Sequence, residues 1–517
     1  MTFIMKHIKQ SIINCCLLLI AVTLNACYDD EGNYNYSEVP EITVENIPET
    51  TSVLRGIGTL NISPRIVSST EGEIAADNPN YEFGCKIARV TGRFSDDEMW
   101  HDINPDKTQS FTTSLEESVG DYVGLYTVTD KRTGVTTNYR FGITIITSTS
   151  EGWMVLCNEG ADNKVRLDMV SVLDVDNIVP MYDLLGDGIP TQYNAKQLFF
   201  FKQNYNPDNI YMLTGTGAYS LDPKELTASE TGNVMKSEFL ADLGDELPER
   251  MAACGSSYHY LVSNAGNIYR KDAYSAGGVY EFPCNADTDG GTPTYRVSPY
   301  VAAAANYGYL VLVFDVDNRR FMSQYIYGTS SVFGSILEPE NPLFSWSPNK
   351  DLVYMERTMS NIAYAVMQGD DGSRSIYAIS LSGWTPTNMT QQGCWDNITA
   401  EGFATAEHFA FHETYPYVFY SNGSTLYAYQ MEGGGSVSSV NLPGEEITMV
   451  KITSTGDRED WNEYILVGSY RDDASDDNGG ILRMYTFDRT SNTFVEAARY
   501  EGFAKIVDVA YRGLDDE

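Results

Sequence analysis

The sequence predicts an all-β protein: an N-terminal immunoglobulin-like β-sandwich followed by a seven-bladed β-propeller closed by the C-terminal strand. Two observations carry that prediction. Short alternating apolar runs split by turn residues fill the chain from residue 39 to residue 147, and apolar strands recur with a period near 50 from residue 152 onward. Composition agrees. The chain has 517 residues, 42% hydrophobic and 12% aromatic, with 36 Tyr and 21 Phe, too apolar for a disordered acidic chain. Lys+Arg 34 against Asp+Glu 71 gives a net charge of −37. That charge belongs on the surface of folded domains, where it repels phosphate and argues against nucleic acid as a partner.

Residues 1–26 read as a signal peptide. Lys6 and Lys9 precede an apolar run from Ile12 to Leu24, too short to span a membrane comfortably. Leu24-Asn25-Ala26-Cys27 resembles the lipobox of bacterial lipoproteins, in which cleavage leaves a lipidated cysteine at the new N-terminus; a plain secreted protein is the alternative. Cys27 is thus the expected lipidation site. Asp29, Asp30 and Glu31 behind it resemble the surface-export signal of Bacteroidota lipoproteins, a solvated acidic tether being the alternative. Residues 27–38 form the expected flexible tether. Removal of the signal takes away Lys6 and Lys9 and moves the net charge from −37 to −39. Of the cysteines left in the folded part, Cys85, Cys157, Cys254, Cys284 and Cys394 are odd in number and scattered. They read as small buried hydrophobes rather than a disulfide or zinc framework.

Residues 39–147 are assigned to the sandwich. The clearest pair is Asp121–Thr129 and Val135–Thr147, joined by a polar turn ending at Gly134, a hairpin signal. Residues 152–517 are assigned to the propeller. One apolar strand opens at Trp153, Ile210, Tyr258, Tyr309, Ile362, Tyr417 and Tyr464, with spacings of 57, 48, 51, 53, 55 and 47 residues. A second series is centred near Met169, Tyr219, Tyr269, Phe321, Tyr377, Tyr427 and Tyr485. Several strands per repeat of about 40 to 50 residues are the mark of a propeller. A third series precedes the first in every repeat but the one at Trp153. Ile506–Tyr511, the last apolar stretch, is a spare strand of that third type, expected to return to the first repeat and close the ring.

No catalytic chemistry announces itself. Sialidase-type Asp boxes and a Gly-x-Ser-x-Gly elbow are absent, and no catalytic residue, cofactor or metal site is assigned. A carboxylate pair for glycoside cleavage stays open, since 71 acidic residues offer many pairs. His408 and His412 alternate with apolar residues as in a strand, which would set them roughly 13 Å apart and exclude a shared zinc ion. Asn285 to Gly290 copies half a calcium loop but has Arg296 at the twelfth position, so an acidic turn is expected. Asp315–Asn318 and Asp472–Asp477 are read the same way. Trp346, Trp384 and Trp395 fall between blade strands and are the candidate ligand platforms, because aromatic faces stack on sugars and on peptide side chains.

Three segments carry a family resemblance: Cys27-Tyr-Asp-Asp-Glu-Gly-Asn-Tyr-Asn-Tyr36 with Pro40–Val44, Tyr126–Val135, and Glu151–Leu156. The chain resembles the PKD-like lipoproteins of Bacteroidota that accompany SusC/SusD-type importers. The resemblance implies a PKD-like sandwich and a lipid-anchored protein of the outer membrane facing the exterior. Its implied partners are a SusC-like TonB-dependent transporter and a SusD-like lipoprotein. On this reading the protein is a non-catalytic module for nutrient capture or scaffolding in the import of oligosaccharides or peptides. The alternative is a surface glycan- or peptide-degrading hydrolase or lyase using channel carboxylates.

Overall fold

The computed structural model describes residues 40–513, apart from residues 57, 91–99, 175–176, 186–188, 202–208, 223–225, 256–257, 274–277, 306–307, 434, 436, 454–460, 463, 472 and 475–476. The signal peptide, Cys27, the triplet Asp29 to Glu31 and the tether to residue 38 lie outside the described residues. Two compact units divide the chain. One is built from the residues before Ile145 except 54–58 and 116–119; the other comprises those two segments and everything from Ile145 onward.

In the first unit a five-stranded sheet holds the strands Thr50–Leu54, Val135–Ile146, Gly120–Asp130, Tyr81–Arg89 and His101–Asp102, in that order. Smaller sheets of three and two strands are built on Ile42–Glu45, Arg65–Ser68 and Gly72–Glu73, and on Thr59–Ile62 and Phe111–Ser114. Alternation decides which side faces in: Tyr81, Phe83, Cys85 and Ile87 are buried while Glu82, Gly84 and Lys86 between them are not, as a half-buried strand requires. The hairpin turns at Asp130–Gly134, where Gly134 has φ +73° and donates its N–H to the Asp130 carbonyl at 2.7 Å.

The second unit is a β-propeller fold of repeated four-stranded antiparallel sheets. Seven such sheets are described. Six follow chain order, starting with Ala195–Phe201, Pro248–Cys254, Ala302–Ala303, Asp351–Arg357, His408–Phe411 and Glu446–Ile452. The seventh joins Gly152–Glu159, Lys164–Asp174 and Asn177–Met181 to the C-terminal strand Lys505–Arg512, which pairs antiparallel with Gly152–Glu159. The first strands of the six sheets and Lys505–Arg512 lie beside one another in succession, and Lys505–Arg512 neighbours both Ala195–Phe201 and Glu446–Ile452. They are termed the hub strands.

Each sheet of this unit is covered on both faces, which explains its continuous apolar runs. Along Gly152–Glu159, Trp153, Val155 and Cys157 pack with Leu466, Leu482, Ile506 and Val509. Met154 and Leu156 turn the other way, to Leu198, Ile210 and Met212. Gly152 admits no side chain: its φ is +141° and a Cβ would lie 2.1 Å from the Val170 carbonyl oxygen. Polar ties hold the C-terminal strand. Asp508 accepts from Lys451 Nζ at 2.6 Å and from the Leu198 N–H at 2.9 Å, and so touches a hub strand on each side. Buried Arg166 donates to Asp168 (2.8 Å), Glu159 (3.0 Å), Asn478 (2.8 Å) and the Gly502 carbonyl (3.1 Å). A buried guanidinium is tolerable when so fully partnered.

Candidate functional site

The three tryptophans have different fates. Trp346 is 2% exposed, donates its indole N–H to the Leu337 carbonyl at 3.0 Å and packs edge-on against Phe321 and Phe344. It is a core residue and cannot serve as a platform; its loop turns back over the sheet and buries the ring, which corrects the expectation. Trp395 ends the strand Thr390–Trp395 and lies across Gly393, where a Cβ would come within 2.5 Å of the ring. It packs, half-buried, against a core cluster containing Phe409 and Tyr420.

Trp384 alone of the three is open, at 69% exposure. It belongs to a continuous aromatic surface. Its ring lies 4.8 Å from Tyr309, which lies 5.3 Å from Tyr327; Tyr327 in turn is 6.0 Å from Tyr325 and 6.3 Å from Tyr258. Tyr327 is itself 55% exposed. Arg270 sits over the Tyr258 ring at 4.9 Å and donates to the Ile326 carbonyl at 3.4 Å, fixing the far edge. The strands explain the convergence. Tyr258 opens Tyr258–Ser263, Tyr309 immediately precedes Leu310–Asp315, and Tyr325 ends Arg320–Tyr325 opposite Leu310. All therefore emerge at the same end of neighbouring sheets. Gly383 lets the Trp384 loop approach, since a Cβ there would lie 3.2 Å from Leu310 Cδ1. Such a surface offers several apolar faces rimmed by phenol hydroxyls, suited to stacking and hydrogen bonding of a ligand with ring faces.

Sequence reasoning named Trp384 and missed its companions. The signal was present in the period, for Tyr258 and Tyr309 occupy equivalent places one repeat apart.

A second group lies on the hub strands. Tyr354 donates to Glu356 Oε2 at 2.7 Å, and the Phe411 N–H also donates to Glu356. Burial raises the Glu356 carboxyl to about 7. Burial likewise raises Glu413, which accepts from the Met359 N–H, and lowers the adjacent Arg357. Glu356 can therefore hold or release a proton near neutrality.

The remaining sequence candidates occupy structural places. His408 lies in the strand His408–Phe411, and His412 accepts through Nδ1 from the Thr414 and Tyr415 N–H groups in the turn beyond. Asp289 accepts from Ser331 N–H and Oγ, and Asn285 is buried with its amide donated to the Tyr295 carbonyl. Asp315 caps its own turn by accepting from the Asp317 and Asn318 N–H groups. Asp472 lies outside the described residues. Among the described residues no three His, Cys, Asp or Glu side chains group as metal ligands. Cys85, Cys157, Cys254 and Cys284 are buried and Cys394 partly so, all free thiols. Burial pushes Cys85, Cys254, Cys284 and Cys394 up to about 12, far from thiolate chemistry.

Fold and site together define a class: an all-β propeller protein with an open aromatic surface. A model of the PKD-like family matches residues 27–188. Among curated proteins none matches the chain. Solved structures do. A quinonprotein alcohol dehydrogenase-like protein from Bacteroides thetaiotaomicron is 12% identical over 92% of this chain and 100% of its own, at a TM-score of 0.42. The periplasmic gluconolactonase of Pseudomonas aeruginosa is 11% identical over 71% of this chain and 99% of its own, at 0.43. The β-propeller domain of Cps50 from Myceliophteria thermophila is 12% identical over 66% and 99%, at 0.39. Likeness at this level carries no activity across.

Proposed function

We propose that this protein is a lipid-anchored accessory module of a SusCD-type importer, held by Cys27 to the outer face of the outer membrane. There it captures an oligosaccharide or a peptide for a SusC-like TonB-dependent transporter and its SusD-like lid. The N-terminal unit is a PKD-like sandwich, and the seven sheets are seven blades of one ring that the C-terminal strand closes. Asp29, Asp30 and Glu31 direct export to the surface.

The aromatic surface around Trp384 is the observation that carries the capture role. An exposed tryptophan that leans on Tyr309, at the end of a chain of four tyrosines, adds little to stability and is well placed to receive a ligand. Titration of purified protein with glycan and peptide panels tests this. Trp384→Ala is expected to weaken the bound ligand about tenfold or more, about 1.4 kcal/mol, with melting unchanged. Binding indifferent to Trp384 would remove the main support.

The second reading, a hydrolase or lyase, is favoured by one observation, the near-neutral Glu356 beside Tyr354. Product formation abolished by Glu356→Gln would favour it; binding without turnover favours the capture module.

A further inference from the structure

The hub strands differ in charge from the rest of the chain. They carry Lys196, Arg250, Arg357, Lys451, Lys505 and Arg512 against five carboxylates, whereas the whole chain has 34 basic and 71 acidic residues. Most of these cations are committed: Lys196 to Glu249, Lys451 to Asp508, Lys505 to Glu446, and Arg512 to the Thr149 carbonyl. Arg250 is different. Its guanidinium lies over the Tyr300 ring, 4.9 Å from the centroid, and makes no hydrogen bond or ion pair among the described residues. Glu249, the nearest carboxylate in sequence, is occupied by Lys196.

The surroundings complete a site. Tyr300, partly buried beneath the cation, meets Tyr354 edge to face at 5.0 Å, and Tyr354 is held behind it by stacking on Phe409 at 5.7 Å and by its bond to Glu356. The neighbouring hub strand is Ala302–Ala303, continued by Ala304 and Ala305, which project nothing larger than a methyl group. A guanidinium with open N–H groups recognises a carboxylate by two parallel hydrogen bonds. The Tyr300 ring and the alanine methyl groups beside it offer apolar contact to a sugar ring. A carboxylate, with one charge per sugar residue, meets a smaller repulsion from a chain of net charge −37 than a dianionic phosphate group does.

We infer that Arg250, with Tyr300 and Tyr354, forms a second ligand site on the hub strands that takes a carboxylate-bearing sugar, a uronic acid residue of an acidic glycan. The inference rests on the capture reading and names a ligand class for it. The test titrates the full mature protein calorimetrically with oligogalacturonides, matched neutral galacto-oligosaccharides and an aspartate-rich peptide, at two salt concentrations. Oligogalacturonide is expected to bind best and to weaken with added salt. Arg250→Gln should weaken it at least tenfold, Arg250→Lys less, and both variants should melt within a few degrees of the parent because the side chain is partly exposed and is held only by its contact with the Tyr300 ring. Preference for the neutral oligomer, equal binding of the acidic peptide, or indifference to Arg250→Gln would overturn the assignment. Oligogalacturonide binding lost only in Trp384→Ala would keep the capture reading and overturn the Arg250 site.

Discussion

His259 sits in a box of Phe199, Phe201 and Tyr211 rings, at centroid separations of 5.6, 4.1 and 5.8 Å, and neither ring nitrogen has a hydrogen-bond partner. Burial, with the charge of Lys271 behind it, lowers this imidazole to about 3; Lys271 itself is paired with Glu238. The unfolded chain protonates near 6.5, so the stability from a neutral His259 is complete above pH 6.5 and lost as pH falls toward 3, by about 2 kcal/mol at pH 5. Glu356 acts in the opposite sense. Its carboxyl is raised to about 7, so the stability it permits below pH 4.5 is lost as pH rises through 7. The two slopes overlap and oppose. Denaturation of Glu356→Gln between pH 7 and 5 should therefore expose the His259 loss, and His259→Phe should abolish it; a flat profile in Glu356→Gln would contradict this account. Burial also separates the tryptophans. Trp346→Ala should cost about 3–5 kcal/mol and Trp384→Ala within about 0.5 kcal/mol, as read by thermal melting. Nothing local in the sequence distinguishes these two, because both follow a strand in a loop-like stretch and only the fold decides which ring is covered.

At the scale of the elements, three of the four strands in each sheet were legible: the middle strands are buried on both faces in continuous apolar runs, and the hub strands, half-buried over much of their length, still carry short apolar stretches such as Leu198–Phe201. The outermost strand escaped. Gly334–Ser335 is two exposed residues, and Thr493–Phe503 shows exposed or half-exposed positions along most of its length. An edge strand with one face in water carries too weak a pattern to stand out from a loop. The spare strand Ile506–Tyr511 was recognisable for the opposite reason: Ile506, Val509 and Tyr511 pack in the cluster that contains Trp153. Its loss would leave Gly152–Glu159 without a partner on one edge and would strip Asp508 from Lys451 and from the Leu198 N–H. Deletion of residues 503–517 should therefore abolish cooperative unfolding of the second unit in calorimetry. A truncated protein melting like the intact one would contradict closure by that strand.

For the molecule as a whole, charge and architecture act together. On the proposal made above, maturation takes the net charge from −37 to −39, which keeps the tethered protein soluble and away from anionic lipid. Repeated sheets place exposed aromatic rings at one end, and the hub strands balance six basic residues against five carboxylates in a chain that is otherwise strongly acidic. The period showed in the sequence, but the convergence of Tyr258, Tyr309, Tyr325, Tyr327 and Trp384 did not, since it depends on which end of each strand faces the same way. The accessory role is tested most directly by affinity capture from solubilised outer membranes, using protein tagged at its C-terminus. The proposal predicts recovery of a TonB-dependent transporter together with a SusD-like lipoprotein; recovery of neither would contradict it.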